Sequence, residues 1–404
     1  MSEKRTSERL MIVTQSFPPR NSVAARRWAE MIPTMAQSCK ICVFTSEVAD
    51  TNHHDSYVNT RVIRAGKHHQ GAGAGIPRKN KVRLNPVANM RSIDSTVLNF
   101  FIKSRRAFKQ ALVEFQPDTI ITTVGPFSTA FFGLYAKWND RKIKWVLDFR
   151  DSMSLFNSSG PGYLTLKQLL DRLIDKSISQ RADKLTTVSP SLAQILTRFY
   201  GKEVFVIFNG YEEETTDCKS EKSPNAPLDT IELYYAGTIY EHRLAALELL
   251  IEFLGKNRKY TLTLRLMNPS FKPLISEIIN KFNAHDNVKV KDKVDQKTYM
   301  EESAMADVFV IFEQLETTDP IGKGNLTAKL FELLPMTAPI LCICREDSDI
   351  SPLLEETARG KVVSKLEDIS DFLDTAANAQ RNNDVIKKYS RAQQARNFME
   401  FIKE

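Results

Sequence analysis

The sequence predicts an α/β protein made of two successive open, parallel sheets. Three observations predict it. Strand, loop, helix and strand alternate from Leu10 to Phe208, a polar proline-bearing stretch follows over residues 211–230, and the alternation then restarts at Ile231. The strands themselves are short apolar runs such as Val308-Phe309-Val310-Ile311-Phe312, the pattern of strands covered on both faces. A chain of 404 residues also exceeds one ordinary hydrophobic core. The expected domains are residues 1–210 joined by a terminal helix at about 385–404, and residues 211–384.

In order, residues 10–14 form a strand, Ser16-Phe17-Pro18-Pro19-Arg20-Asn21-Ser22 a turn-rich loop, and residues 23–36 a helix by their apolar spacing. Residues 41–45 are the second strand. Residues 52–89 are rich in His, Gly, Lys and Arg, with one strand-like run at 60–64. Their Gly71-Ala72-Gly73-Ala74-Gly75 opens no helix, so it reads as a flexible loop and not a phosphate cradle. In His53-His54 and His68-His69 the adjacent side chains point to opposite faces of an extended chain, and no nearby Cys or carboxylate cluster completes a site, so no metal site is expected. Residues 96–115 read as an amphipathic helix carrying Lys103, Arg105, Arg106 and Lys109. A strand at 117–123, a helix at 127–137 and a strand at 144–151 follow. That last strand ends in Asp148-Phe149-Arg150-Asp151, charged where open α/β sheets face their ligand; the alternative is a strand-end cluster of salt bridges. A helix at 163–179, a strand at 182–188, a helix capped by Ser189 and begun by Pro190, and a strand at 204–208 complete this half.

In the second half, strands are expected at 231–236, 260–266, 288–290, 306–312, 338–344 and 362–363. The helices between them lie at 244–254, 273–282, 296–304 and about 328–334, with a terminal helix at 384–403. Gly322-Lys323-Gly324-Asn325 leads into the fourth of these, where Lys329 and Glu332 stand three apart and share a face. A helix opening on such a loop presents unpaired N–H groups and suits an anion, with the lysine reaching a phosphate and the glutamate a sugar hydroxyl. A solvated ion pair is the other reading.

Composition is that of a globular protein, and no apolar run reaches the roughly 18 residues of a membrane span. The first residues lack the apolar core of a signal peptide, and the five cysteines form no framework, so a reducing cytoplasmic compartment is expected. Charge is uneven: residues 1–210 hold 31 Lys and Arg against 16 Asp and Glu, and the remainder 25 against 33. The basic half suits nucleic acid, anionic lipid headgroups or acidic glycans; the alternative is a plain solvated surface. No nucleic-acid module accompanies it, so no nucleic-acid partner is expected.

Taken together, these pieces resemble the GT-B nucleotide-sugar-dependent glycosyltransferases, above all the family 4 group. The resemblance rests on Ser16-Phe17-Pro18-Pro19, Val146-Leu147-Asp148-Phe149-Arg150-Asp151, Ala182-Asp183-Lys184-Leu185-Thr186-Thr187-Val188-Ser189-Pro190-Ser191, Val206-Ile207-Phe208-Asn209-Gly210, Tyr235-Ala236-Gly237-Thr238 and Lys329-Leu330-Phe331-Glu332 with Pro339-Ile340-Leu341, in the family's order. It implies two Rossmann-like domains facing across a cleft, with the terminal helix packing back on the first. The donor, a nucleoside-diphosphate sugar, would be held mainly by the second domain and the acceptor, a glycan or lipid-linked molecule, mainly by the first. No metal is implied, because helix dipoles and basic side chains neutralise the leaving diphosphate. Arg243 and Lys329 are the candidates for that work, Gly237 and Thr238 for close backbone approach, Asn21 and Ser22 for the loop after Pro18-Pro19, and Glu332 for the ribose. Asp148, Arg150 and Asp151 complete the expected catalytic set. The chain departs from the family where its first glutamate falls at Gly324, where Asn21-Ser22 replaces a double glycine, and at Thr337. The expected activity is a retaining, hexosyl-type transfer in polysaccharide or glycoconjugate synthesis, with peripheral contact to an anionic membrane through residues 96–115. The alternatives are a non-catalytic glycan- or partner-binding protein and a nucleotide-sugar epimerase.

Overall fold

The computed structural model describes residues 8–20, 22–48, 56–66, 97–125, 127–150, 166–213, 230–316, 320–375 and 381–404. These residues form two compact units, one running to Gly210 and including residues 391–404, the other spanning Tyr211–Ser390.

The first unit is a seven-stranded parallel sheet. Its strands are β1 (Glu8–Val13), β2 (Cys39–Thr45), β3 (Thr60–Arg64), β4 (Thr119–Val124), β5 (Lys144–Phe149), β6 (Lys184–Thr187) and β7 (Val204–Val206), in the order β3-β2-β1-β4-β5-β6-β7. In β1, Leu10 pairs with Ile41 on one side and Thr119 on the other. Alternate residues of the strand go to opposite faces. Met11 and Val13 enter a core with Phe44, Phe100, Phe108 and Phe132, and Leu10 and Ile12 a second with Trp28, Met31 and Phe398.

Helix α1 (Val23–Met35) and the C-terminal helix cover that second face, with the Trp28 and Phe398 rings 5.6 Å apart and edge-on. The C-terminal helix therefore packs on the N-terminal unit. It is two helices, not one over 384–403: α12 (Asn383–Lys387) and α13 (Arg391–Lys403) are separated where Ser390 bridges to Tyr211. On the other face lie α2 (Lys103–Phe115), α3 (Ala130–Asn139), α4 (Leu166–Ser179) and α5 (Pro190–Tyr200). Helix α2 is preceded by a wider π-helical turn, Val97–Ile102, where a single helix was expected. Gly133 lets α3 sit against β5: a Cβ there would fall 2.0 Å from the Trp145 indole nitrogen. Ser189 caps α5 through Leu192 N–H, and Pro190 begins it.

The second unit is a six-stranded parallel sheet. Strands β8 (Ile231–Gly237), β9 (Tyr260–Leu266), β10 (Val288–Asp292), β11 (Val308–Phe312), β12 (Ile340–Ile343) and β13 (Gly360–Val363) stand in the order β10-β9-β8-β11-β12-β13. Leu233 of β8 pairs with both Leu262 and Val308, and these side chains join one core under α6 (Leu244–Lys256), α7 (Lys272–Lys281) and α11 (Leu366–Thr375). The remaining helices are α8 (Gln296–Met305), α9 (Ala328–Leu333) and α10 (Ile350–Thr357), with a single helical turn, Pro320–Lys323, in the stretch before α9 that was expected to be a loop. Among the described residues, no helix is long and apolar enough to cross a membrane.

Candidate functional site

In the second sheet the chain leaves β8 toward β9 on one side, while β11 lies on the other. The carboxyl ends of β8 and β11 therefore flank a topological switch point, where open α/β sheets leave a crevice. Gly237 closes β8 here. A Cβ on it would stand 2.8 Å from the Tyr235 hydroxyl and 3.4 Å from Lys329 Cε, so the lysine stem crosses the end of the strand over a bare backbone. The Lys329 ammonium lies 5.4 Å from the centre of the Tyr299 ring.

After Gly237 the chain makes a helical turn, Glu241–Arg243, which aims Arg243 back at the strand end. Its Nη1 donates to the Thr238 carbonyl at 3.0 Å, which also accepts the Tyr235 hydroxyl at 3.0 Å. Its guanidinium lies 4.9 Å from the Tyr240 ring centre, and its Nη2 donates to Glu313 Oε1 at 2.5 Å. Glu313 is the residue after β11, and only 3% of its side chain is exposed. Asn325 Nδ2 donates to the other carboxylate oxygen at 2.8 Å, and His242 Nε2 is 3.9 Å from that oxygen. Burial pushes the Glu313 carboxyl up to about 7, against the lowering effect of Arg243 and of the Asn325 hydrogen bond. Burial opposes the charge on Arg243 as well, but Glu313 and Tyr235 outweigh it and its pKa is raised.

Helix α9 is only six residues long, and two N–H groups of its first turn are already engaged. Thr327 Oγ1 accepts from Lys329 N–H at 3.0 Å, and the Thr327 carbonyl from Leu330 N–H at 3.1 Å. The anion-binding role expected of its N-terminus therefore rests on side chains. Buried Leu330, Phe331 and Leu333 anchor the helix, leaving Lys329 and Glu332 half-buried on its other face. Buried Arg359 holds its far end through the Leu333, Thr337 and Ala338 carbonyls. Where the resemblance places a first glutamate, the chain has buried Gly324, and the carboxylate that reaches this loop is Glu313, through Asn325.

At the carboxyl edge of the first sheet, Asp148 has no exposed surface. Its Oδ1 accepts from Arg27 Nη2 at 3.2 Å and from Thr186 Oγ1 at 2.9 Å. Arg27 Nη1 donates to Asn209 Oδ1 at 3.1 Å, and the Asn209 carbonyl accepts from Arg391, which is paired with Glu30. A polar web thus ties α1, β5, β6 and α13. Burial lowers the Arg27 pKa, Asp148 opposes that, and Arg150 adds to it. Arg150 itself stands half-buried just beyond β5. The Ser22 hydroxyl caps α1 through Ala25 N–H at 3.2 Å and lies 3.0 Å from the Ser16 hydroxyl. Asn21 and Asp151 lie outside the described residues. Along this edge, Gln15 Nε2, Thr45 Oγ1, Ser128 Oγ, Asp148 Oδ2 and Thr187 Oγ1 are buried without a hydrogen-bond partner among the described residues. Such atoms call for an explanation, and a bound polar ligand is one.

The structure thus brings Gly237, Arg243 and Lys329 to one strand end, with Thr238 contributing a carbonyl, and leaves Asp148 in a separate buried web. Sequence reasoning missed Glu313, Asn325 and Arg27. Their only signals were a lone acid after a buried strand and an arginine among the apolar positions of α1.

Residues 24–215 match the model of Glycosyltransferase Family 4. Comparison with curated protein sequences finds no match. Among solved structures, the chain is similar to a sucrose-phosphate synthase from Thermosynechococcus elongatus, with a TM-score of 0.66, 13% identity and 98% of each chain covered. It is similar to the catalytic domain of starch synthase IV from Arabidopsis thaliana bound to ADP and acarbose, with a TM-score of 0.60, 12% identity and coverage of 98% and 99%. An Anabaena protein in complex with UDP and glucose gives a TM-score of 0.58 at 11% identity, with 97% and 94% covered.

Proposed function

We propose that this chain, which matches Glycosyltransferase Family 4 over residues 24–215 and is similar in fold to GT-B glycosyltransferases, is a glycosyltransferase that takes a sugar from a nucleoside-diphosphate donor. The observation that carries this reading is the convergence of Gly237, Arg243 and Lys329 at the switch point of the second sheet. Two fixed cations beside a bare strand end suit a diphosphate, whose charge grows as the bond from sugar to phosphate breaks. Preorganised cations stabilise that charge without reorganisation. We assign the neutralisation to Arg243 and Lys329 with no metal ion, close approach to Gly237 and Thr238, and contact with the ribose to Glu332. Proteins of similar fold hold UDP with glucose, and ADP, which supports a nucleotide sugar as donor.

The acceptor is proposed to be a glycan or lipid-linked molecule. Its hydroxyls would meet the unpartnered polar atoms along the first sheet, near Asp148, Arg150 and Ser22. The transfer is proposed to be hexosyl and to retain the anomeric configuration, in polysaccharide or glycoconjugate synthesis at the cytoplasmic face of an anionic membrane. The test is thermal unfolding with UDP-, ADP-, GDP- and dTDP-sugars, followed by transfer assays with those that bind. A ligand at about 100 times its dissociation constant adds roughly 2.7 kcal/mol, a clear rise in melting temperature. If none of them shifts the transition, the donor assignment fails.

A further inference from the structure

Arg243 already has a carboxylate on it. Glu313 occupies Nη2, the Thr238 carbonyl occupies Nη1, and Nε is buried without a hydrogen-bond partner among the described residues. A diphosphate arriving at this strand end therefore meets a guanidinium engaged by a buried acid on the neighbouring strand. We propose that Glu313 is the resident counter-ion of Arg243, that the donor's diphosphate takes its place, and that the protein takes up a proton at Glu313 as the nucleotide sugar binds. The inference rests on the donor-site reading above and adds a positioning residue and a proton to it.

Electrostatics sets the direction. Glu313 is held ionised by Arg243 against the cost of burial, and the balance already stands near neutrality, at about 7. Drawing the guanidinium toward a phosphate weakens the largest stabiliser of the carboxylate and adds negative charge beside it. Both changes favour the protonated acid. A neutral Glu313 still accepts from Asn325 and keeps the loop that leads into α9 in place. Every packed element contributes a neighbour to this carboxylate: Arg243 and His242 from the helical turn, Tyr235 from β8, Cys342 from β12 and Asn325 from the loop. Of these, His242 is the group whose ordinary pKa already lies near neutrality, so the test must separate it from Glu313.

The linkage sign follows. Above about pH 7 the free protein carries an ionised Glu313 and the complex a protonated one, so affinity falls as pH rises, by up to about tenfold per pH unit for one proton. Below about pH 7 the proton is present before binding and the dependence flattens. The experiment is isothermal titration of the full chain with UDP-glucose and ADP-glucose, whose diphosphate diesters do not titrate in this range. It is run from about pH 6.5 to about pH 8.5 in buffers of differing ionisation enthalpy, which counts protons directly. Wild type is expected to take up a proton near the top of that range. Glu313→Gln is expected to take up none, to show a flat profile and to bind more tightly than wild type at high pH. His242→Asn is expected to keep the uptake. Binding without uptake in wild type, or uptake that survives in Glu313→Gln and disappears in His242→Asn, overturns the inference while leaving the donor site standing. Absence of binding at every pH removes the donor site and this inference together.

Discussion

Removing the Asp148 carboxylate separates a strut from a catalyst. Arg27 and Asp148 are 3.2 Å apart and neither side chain has any exposed surface. Truncating one member of such a pair leaves a buried charge uncompensated, which costs about 3–5 kcal/mol. In a unit of this size each kcal/mol moves the melting temperature by about 2–4 °C, so Asp148→Ala should lower the first unfolding transition by on the order of 10 °C. Asp148→Asn retains an acceptor for Thr186 and Arg27 and should fall at the lower end of that range. The double change Arg27→Met with Asp148→Leu removes both charges and should recover most of the loss, because apolar replacements of buried pairs are often neutral or better. Thermal unfolding followed by circular dichroism reads all four proteins, with turnover measured well below the lowest transition. If Asp148→Ala melts with wild type while turnover collapses, the strut argument is refuted and Asp148 belongs to the chemistry.

Glu313 makes a pH-dependent contribution to stability. Its folded value of about 7 lies above the reference of 4.5, so the contribution is complete below about pH 4.5 and is lost as pH rises through about 7. The shift corresponds to about 3 kcal/mol. Glu313→Gln should therefore flatten the urea midpoint between those values, and parallel profiles for the two proteins would rule the contribution out. Lys329→Ala and Glu332→Ala should each weaken nucleotide-sugar binding while barely moving the melting temperature of the free protein, since both side chains are half-buried on the outer face of α9; unchanged affinity in both returns them to a surface ion pair. Transfer activity should persist in a chelator. Loss of turnover restored by a divalent ion would show that Arg243 and Lys329 do not suffice for the leaving diphosphate. Lys103, Arg105, Arg106 and Lys109 are exposed along the first half of α2, and each basic residue near an anionic leaflet contributes about 1 kcal/mol that salt screens. The protein should sediment with phosphatidylserine vesicles at low salt, be released at high salt, and bind less when all four are changed to Gln. A wild type that stays in the supernatant at low salt ends the membrane proposal.

What the sequence made legible was local. Apolar runs marked β1, β8, β11 and β12 because each strand is covered on both faces, and Ser189-Pro190 marked the start of α5 because a cap and a fixed φ act within three residues. The three-residue spacing of Lys329 and Glu332 put them on one face of α9, as it must on any helix. The terminal helix was misjudged because its interruption depends on Tyr211, far away in the chain, pairing with Ser390. The same holds for the charges. Arg243 and Glu313 meet because β8 and β11 are neighbours in the sheet, and Arg27 meets Asp148 because α1 folds back over β5. No periodicity encodes strand order, so a sequence shows which side chains share an element and not which carboxylate faces which guanidinium. In both units a cation at the carboxyl edge is met by an acid from another element. In the first unit that acid is wholly buried and locked. In the second, the neighbouring guanidinium retains 14% exposure, its Nε has no partner among the described residues, and the acid is poised near neutrality. That contrast is the reason the ligand-responsive charge is proposed for the second unit, on Arg243.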